Sequence, residues 1–513
     1  MKKISHLLPL FLFLLAFAAR MIPGPRTIDD SFITFRYAQN ILAGEGFVYN
    51  PGEAIMGTTT PLYTMIMAAI GAVSGGTQAP FPEISMLVNA IADGLTVILL
   101  FLLGKHFEQP LVGIATALAW SIAPHSVTFA IGGLETSVVV LLLVGMMYFY
   151  LTNRVPLAAL LASLALITRP DTVLLVGLIA LDHFIRFLRK QAKWDWLAVL
   201  ALVSIPLLWY GYATLQFGSP IPHSVQAKLG AYRLPPEAAL IRLLQHYTTP
   251  FMADIWFGAA IAVGSGLILY PFFYLVGARK LFQLDSRSLV MMVYPWLYLL
   301  VFSVANPLIF RWYLTPPLPF LIFGILMGVQ VLFTSILSSG KFRFPRFLQT
   351  ALLILLLILL PFASLLGNWT LKPDHGLEHP APGMAWYQLE LLYQKAAKIV
   401  APYLKPDTTL AAGDVGVLGY LTQARILDTV GLNSPVSLQY YPLDEKYYVT
   451  NYAVAPDLII DQQPDFVVLM EVYGRLGLFK DQRFKDQYDL LALIPTDIYG
   501  SEGMLIYIRK GSN

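Results

Sequence analysis

The sequence predicts a polytopic α-helical membrane protein with a C-terminal soluble α/β domain. Three observations predict it. Of 513 residues, 57% are hydrophobic and only 13% charged, about half the charge of an ordinary soluble domain. Apolar runs close to the length of a bilayer core recur as far as residue 367. From residue 368 the composition turns charged and punctuated over a stretch of soluble-domain size.

A spanning helix needs about 20 apolar residues. The candidate spans are 4–22, 84–104, 110–130, 135–152, 155–168, 172–188, 195–215, 254–278, 289–308, 313–337 and 347–367, about 11 transmembrane helices in all. The run 155–168 is short enough to require tilt or a thinned bilayer. Two long loops interrupt the spans, 23–83 and 216–253. Within the first, the apolar spacing of Ser31 to Leu42 predicts a helix capped by Asp29, Asp30 or Ser31. Pro61 to Val73 is apolar but too short to span, which predicts an interfacial helix.

Lys2, Lys3, Lys105, Arg154, Arg186, Arg189, Lys190, Lys193, Arg279, Lys280, Arg287, Lys341, Arg343 and Arg346 gather at one set of span ends, against Arg20, Arg26, Arg36, Arg169, Lys228, Arg233, Arg242 and Arg311 at the other. The positive-inside rule then places the N-terminus in the cytoplasm, the long loops outside, and the domain 368–513 on the extracytoplasmic side of a plasma membrane. Lys2, Lys3 and Ala16-Phe17-Ala18 also fit a cleavable signal peptide, although retention as the first helix is the preferred reading. In the tail, a helix near 385–401 precedes apolar runs at 408–412, 458–460, 466–470, 490–494 and 504–508, read as strands of a small α/β domain. A net charge of +3 without a clustered basic face argues against nucleic acid as a partner. The absence of cysteine excludes disulfide, thiolate and cysteine-ligated metal chemistry.

Several polar residues stand at the outer ends of spans. Asp29 and Asp30 are adjacent acids at the boundary between membrane and water, where low dielectric and mutual repulsion raise carboxylate basicity. Such a pair suits removal of a proton from an attacking hydroxyl, and the alternative is a solvated helix cap. Glu135 is an acid at a span mouth, suited to an acceptor or a divalent cation, or simply to a helix N-terminus. Arg169, Lys228 and Arg311 are cations on the side that should be poor in them, and phosphate is what such groups grip. The competing readings are pairing of Arg169 with Asp171 and snorkelling of Lys228 and Arg311. His223, Asp171 and Tyr313 are further pocket candidates. Asp93 with Asn89 is a plausible buried polar pair, and Gly413-Asp414-Val415-Gly416 reads as a structural turn.

The run Ile28-Asp29-Asp30-Ser31-Phe32-Ile33-Thr34-Phe35-Arg36-Tyr37-Ala38, followed by Gly44, Gly46 and Phe47-Val48-Tyr49-Asn50-Pro51-Gly52-Glu53, resembles the GT-C superfamily of membrane glycosyltransferases. Within it, the likeness is to mycobacterial-type arabinofuranosyltransferases. Gly133-Leu134-Glu135-Thr136, Thr168-Arg169-Pro170-Asp171, Pro222 to Lys228 and Arg311-Trp312-Tyr313-Leu314 support it over residues 1–345. The family pattern often has Asn-Thr where Pro222-His223-Ser224 stands, and Glu in place of Asp171. The resemblance implies a polyprenyl-phosphate sugar donor, inverting transfer at the outer leaflet, and Asp29 or Asp30 as the first-loop acid. The expected acceptor is a cell-envelope glycan, glycolipid or glycoprotein, the expected sugar a pentofuranose such as arabinofuranose, and a divalent cation is a candidate cofactor. Two rivals are a lipid-linked sugar transporter or flippase relying on Asp93, and a surface receptor using residues 368–513.

Overall fold

The computed structural model describes residues 4–338, 345–371, 376 and 378–511; Lys2, Lys3, Lys341 and Arg343 lie outside them. The chain enters with α1 (Ile4–Met21). It then builds the first loop from α2 (Asp29–Ala43) and α3 (Pro61–Val73). The helices α4 (Phe81–His106), α5 (Pro110–Ile122), α6 (Pro124–Ile131), α7 (Thr136–Leu151), α8 (Val155–Leu166), α9 (Val173–Leu188) and α10 (Trp196–Phe217) follow. The second loop carries α11 (His223–Ala231), α12 (Ala238–Thr248) and α13 (Asp254–Phe257). Then come α14 (Ala259–Leu284), α15 (Ser288–Ala305), α16 (Leu318–Ser338), α17 (Arg346–Ile354), a π-helical turn at Leu355–Leu359, and α18 (Leu360–Leu366).

Prolines punctuate this series where their missing N–H does no harm. Pro61, Pro110, Pro124 and Pro156 all sit in the first turn of a helix, the position that tolerates them. Pro124 also divides the expected span 110–130 into α5 and α6, bent by 45°, since its ring blocks an unbroken helical ladder. By length and apolarity, six described helices can cross a membrane, or seven with this bent pair taken as one. About eleven were expected. The shortfall lies in short apolar helices such as α7 and α8: the 12 residues of α8 rise only about 18 Å, against a hydrocarbon core of about 30 Å.

The first intramembrane polar cluster departs from expectation. Asp93 does not pair with Asn89, whose amide donates to the Ala130 and Leu134 carbonyls. Instead Arg20 Nε of α1 donates to Asp93 Oδ2 at 3.0 Å. Trp120 Nε1 (3.0 Å) and Ser137 Oγ (2.7 Å) also donate to the same carboxylate. Arg20 spends its remaining donors on the Ala16, Trp120 and Ser121 carbonyls and Ser126 Oγ. Both side chains are fully buried. Such a pair persists only because every donor and lone pair finds a partner.

In the C-terminal part, β1 (Trp369–Thr370) and β2 (Ala381–Pro382) form a short antiparallel ladder. After α19 (Ala385–Val400) comes a five-stranded sheet. Its strands are β3 (Thr409–Ala412), β4 (Arg425–Asp428), β5 (Phe466–Met470), β6 (Tyr488–Pro495) and β7 (Gly503–Arg509), in the order β4-β3-β5-β7-β6. β3 runs parallel to β4 and β5, and β7 antiparallel to β5 and β6. Four of the five apolar runs are strands. The fifth, 458–460, lies inside the helix Pro456–Gln462, where Pro456 and Asp457 in the first turn favour a helix start.

The C-terminal sheet is bolted to the first loop by its β3-to-β4 connection, α20 (Gly416–Thr422). Arg36 of α2 is 1% exposed and donates to the Tyr49, Gly419 and Ala424 carbonyls at 2.7, 2.6 and 2.8 Å. Tyr49 Oη donates to Val415 O (2.7 Å), and the Asn50 amide both donates to and accepts from the Ile426 backbone. This approach leaves no room for side chains on α20. A Cβ at Gly416 would lie 1.8 Å from Asp29 O, and one at Gly419 2.0 Å from Tyr49 Oη.

Two outcomes are expected. Asp93→Ala strands a buried guanidinium and should destabilise the protein by about 3–5 kcal/mol, seen as a lower unfolding temperature in detergent; an unchanged temperature refutes the structural role. Gly416→Ala should loosen α20 from α2, raising hydrogen exchange of the 416–422 amides while leaving α4 to α7 as protected as before.

Candidate functional site

The docking of α20 decides what each member of the aspartate pair does. Asp29 Oδ2 accepts from Gly416 N at 2.7 Å and Oδ1 from Val417 N at 2.8 Å. Both carboxylate oxygens therefore cap the first turn of α20, where unpaired amides and the helix dipole favour an anion. Burial, then the charge of Asp414, push the Asp29 carboxyl well above the usual range, and the two amides only partly oppose them. Asp30 is different. It is half-buried, and among the described residues its side chain has no hydrogen bond or ion pair.

Asp30 stands where two cavities meet. The larger is bounded on the membrane side by Ile28, Asp30, Lys228, Phe310 and Trp312. Its other wall comes from the C-terminal part: Glu390, Asp414, Thr450, Asn451, Tyr452, Tyr473 and Tyr499. The smaller is bounded by Thr58, Thr59, Thr60, Glu135, Ser224 and Tyr313. Asp30, Ile33, Lys228, Trp312 and Leu432 line both. A free carboxylate and a cation thus sit at the junction of two compartments.

The C-terminal wall is rich in acids and aromatic rings. Tyr393 Oη donates to Asp414 Oδ2 at 2.7 Å. Burial pushes the Asp414 carboxyl up to about 6; the Tyr393 bond opposes this and the Asp30 charge adds to it. Glu390 is 1% exposed and its Oε1 has no partner among the described residues. Burial, followed by the charges of Asp29, Asp414 and Asp30, raises its carboxyl well above the ordinary range. Open acceptors beside aromatic faces suit a polyhydroxylated ligand, whose hydroxyls donate while its C–H faces stack.

The three predicted cations do not converge. Lys228 does reach the junction, its ammonium 5.1 Å from the Phe310 ring centroid and 5.6 Å from that of Tyr313. Although burial opposes it, Tyr313, Asp30 and Glu135 hold the Lys228 ammonium above its usual pKa. Arg169 is engaged elsewhere. Its Nε and Nη2 donate to the two Asp171 oxygens at 2.9 and 2.8 Å, Glu135 lies at 3.5 Å, and the Tyr313 ring is 4.5 Å away. The Tyr298 hydroxyl lies 2.9 Å from Asp171 Oδ2 and 2.6 Å from the Tyr313 carbonyl, its one proton shared between these two acceptors. The pairing with Asp171 is therefore what forms, and this network braces Tyr313 and Glu135 at the edge of the smaller cavity. Arg311 is exposed and lines a third cavity instead. His223 starts α11, where its amide donates to Met56 O at 2.8 Å, and its ring lines neither of the two joined cavities.

Among the described residues, no group of three or more His, Asp or Glu is placed to hold a metal ion. Sequence reasoning missed Glu390, Tyr452, Tyr473 and Tyr499, which carry no motif. It read Gly413-Asp414-Val415-Gly416 as structural, and that turn instead delivers Asp414 to the cavity and Gly416 to Asp29. An acid between two glycines ahead of a short helix was the available signal.

A family model described as a domain of unknown function (DUF8728) matches residues 384–507. Over 262 residues, 47% of this chain and 40% of the relative, the sequence is 24% identical to the terminal β-(1→2)-arabinofuranosyltransferase of Mycobacterium tuberculosis. The chain thus spans about two fifths of that relative's length. Among solved structures, ArnT from Cupriavidus metallidurans bound to undecaprenyl phosphate matches with a TM-score of 0.57 at 11% identity, covering 99% of this chain and 98% of that one. The oligosaccharyltransferase AglB of Archaeoglobus fulgidus, in complex with an inhibitory peptide and a dolichol-phosphate, matches with a TM-score of 0.55 at 12% identity, covering 93% and 72%. The chain shares the fold of these two structures, the GT-C fold.

Proposed function

We propose that the protein is an inverting membrane glycosyltransferase. It moves a sugar, with a pentofuranose such as arabinofuranose as the leading candidate, from a polyprenyl-phosphate donor to a hydroxyl of a cell-envelope glycan, glycolipid or glycoprotein. The observation that carries this reading is the unpaired Asp30 carboxylate at the junction of two cavities, with Lys228 beside it. Transfer needs two substrates to meet at a base and a phosphate-binding cation, and this junction offers that meeting point. The relative and the ArnT and AglB structures point to lipid-phosphate donors and sugar transfer as the class.

In the proposed step the acceptor hydroxyl oxygen attacks the anomeric carbon as the bond to the phosphate oxygen breaks. The hydroxyl proton passes to Asp30, and the polyprenyl phosphate leaves with the electron pair. One displacement inverts the anomeric centre. Lys228 stabilises the charge growing on the leaving phosphate. Asp29, the other acid of the predicted pair, instead holds the C-terminal part over the site, because both its oxygens already accept amides. The acceptor occupies the larger cavity, its hydroxyls donating to Glu390 and Asp414. The donor sugar enters from the side of Thr58 to Thr60, Glu135 and Tyr313. We place this chemistry at the outer leaflet on the strength of the Lys/Arg asymmetry.

The rival reading of a transporter or flippase relied on Asp93 as an ion relay. That carboxylate is bonded to Arg20, Trp120 and Ser137, which leaves no open site for a travelling proton. Proteoliposomes that move a lipid-linked sugar without forming a new glycosidic bond would restore it.

Asp30→Asn should lower kcat about 10²–10⁴-fold with no change in unfolding temperature, measured with a radiolabelled polyprenyl-phosphate sugar; residual activity near wild type refutes the assignment. Asp29→Asn should instead raise hydrogen exchange in α20. Lys228→Gln should lower kcat/KM about 10²–10³-fold, and Lys228→Arg should recover part of the loss.

A further inference from the structure

A second group of nitrogen-bearing side chains meets on the far side of the segment that carries Phe310 and Trp312. Residues Arg311–Leu314 form a tight 3₁₀ turn, so neighbouring side chains point in different directions. Phe310 and Trp312 line the cavity of Asp30, while Arg311 opens into a separate one. Its other polar lining comes from His125, His246, Gln245, Thr128 and Thr249. The His125 and His246 rings are 4.5 Å apart between centroids. His125 is 9% exposed, and Nε2 of both rings is buried without a hydrogen-bond partner among the described residues. Arg311 is the one Lys, Arg, Asp or Glu in the described lining, and its side chain has no ion pair among the described residues.

Buried polar nitrogens left open are costly, and native proteins rarely keep two together without a use. A guanidinium beside two buried imidazole nitrogens without partners, with no carboxylate among the described lining residues, suits an anion. A tetrahedral oxyanion fits best. The Arg311 fork takes two oxygens, the imidazole N–H groups take others, and the Thr128 hydroxyl completes the shell. A bare metal cation fits poorly, because Arg311 would repel it.

We propose that this cavity is a phosphomonoester-binding site, with Arg311, His125 and His246 as its ligands. The inference stands on this cavity and does not require the reaction proposed at Asp30. Pro124, Phe129 and Met252 give it an apolar rim, which suits a phosphate carried on a lipid, although free phosphate presents the same oxygens.

The test is calorimetric titration of the full-length protein in detergent with farnesyl phosphate, inorganic phosphate and, as a control, farnesol. All are repeated in the double variant Lys228→Gln/Arg242→Gln, which removes both cations among the described lining of the other cavity, and in Lys228→Gln alone. Farnesyl phosphate should bind in every background, farnesol should not, and Arg311→Gln should weaken binding about tenfold or more. Tighter binding of farnesyl phosphate than of inorganic phosphate marks a lipid-borne ligand, and equal binding marks free phosphate; either supports the site. Should Arg311→Gln fail to fold, His246→Asn carries the same expectation. The proposal is overturned if neither phosphate binds in the double variant, or if binding there ignores both Arg311→Gln and His246→Asn. The first result leaves the reading of Lys228 as the donor cation untouched, so the two ideas fail separately.

Discussion

The structure depends on the carboxylate of Asp29 receiving the first two amides of α20. A helix N-terminus presents unpaired N–H groups and a partial positive charge, and a buried carboxylate needs both. Each end of the contact satisfies a demand of the other. Because Asp29 lies in the first loop and α20 follows a strand of the C-terminal sheet, the same contact turns two walls into one cavity. The missing side chains at Gly416 and Gly419 are the condition for it, since any Cβ there would meet α2 or Tyr49.

That contact also explains why two adjacent aspartates do different work. Consecutive helical residues point about 100° apart, so when Asp29 faces α20, Asp30 must face elsewhere, and elsewhere is the junction of the two cavities. The division leaves one carboxylate open. Both oxygens of Asp29 are occupied by amides, whereas Asp30, unpaired among the described residues, keeps its lone pairs for a ligand. The same logic separates Lys228 from Arg169, whose charge is absorbed by Asp171 and Glu135.

Local pattern carried much of the fold and part of the site. The apolar runs located helices and strands closely: α2 and α3 fall where spacing placed them, and β5 spans the predicted 466–470. Boundaries set by proline were harder, as the bend at Pro124 and the helix begun by Pro456 show, because an apolar run reads alike in a strand, a helix or a broken span. In the site, Asp30 and Lys228 were legible as polar groups where polarity is expensive. Arg311 was legible as an unusual cation but not as a member of a different cavity, and Glu390 was not legible at all, since an acid on an amphipathic helix looks the same facing water or a ligand.

What the sequence by itself determined is chemical: a membrane solvent, a punctuated tail, and a short roster of acids and cations near the ends of helices. Hydropathy and residue type are local properties, and local properties survive being read one residue at a time. What only the tertiary structure decided is partnership: which aspartate is bonded and which is open, that Arg20 answers Asp93, and that the tail closes the site with Glu390 and Asp414. Pairing depends on contacts between residues as much as 388 positions apart. The physical reason is that a charged group's role is set by the charges, amides and burial around it, and those arrive from other parts of the chain.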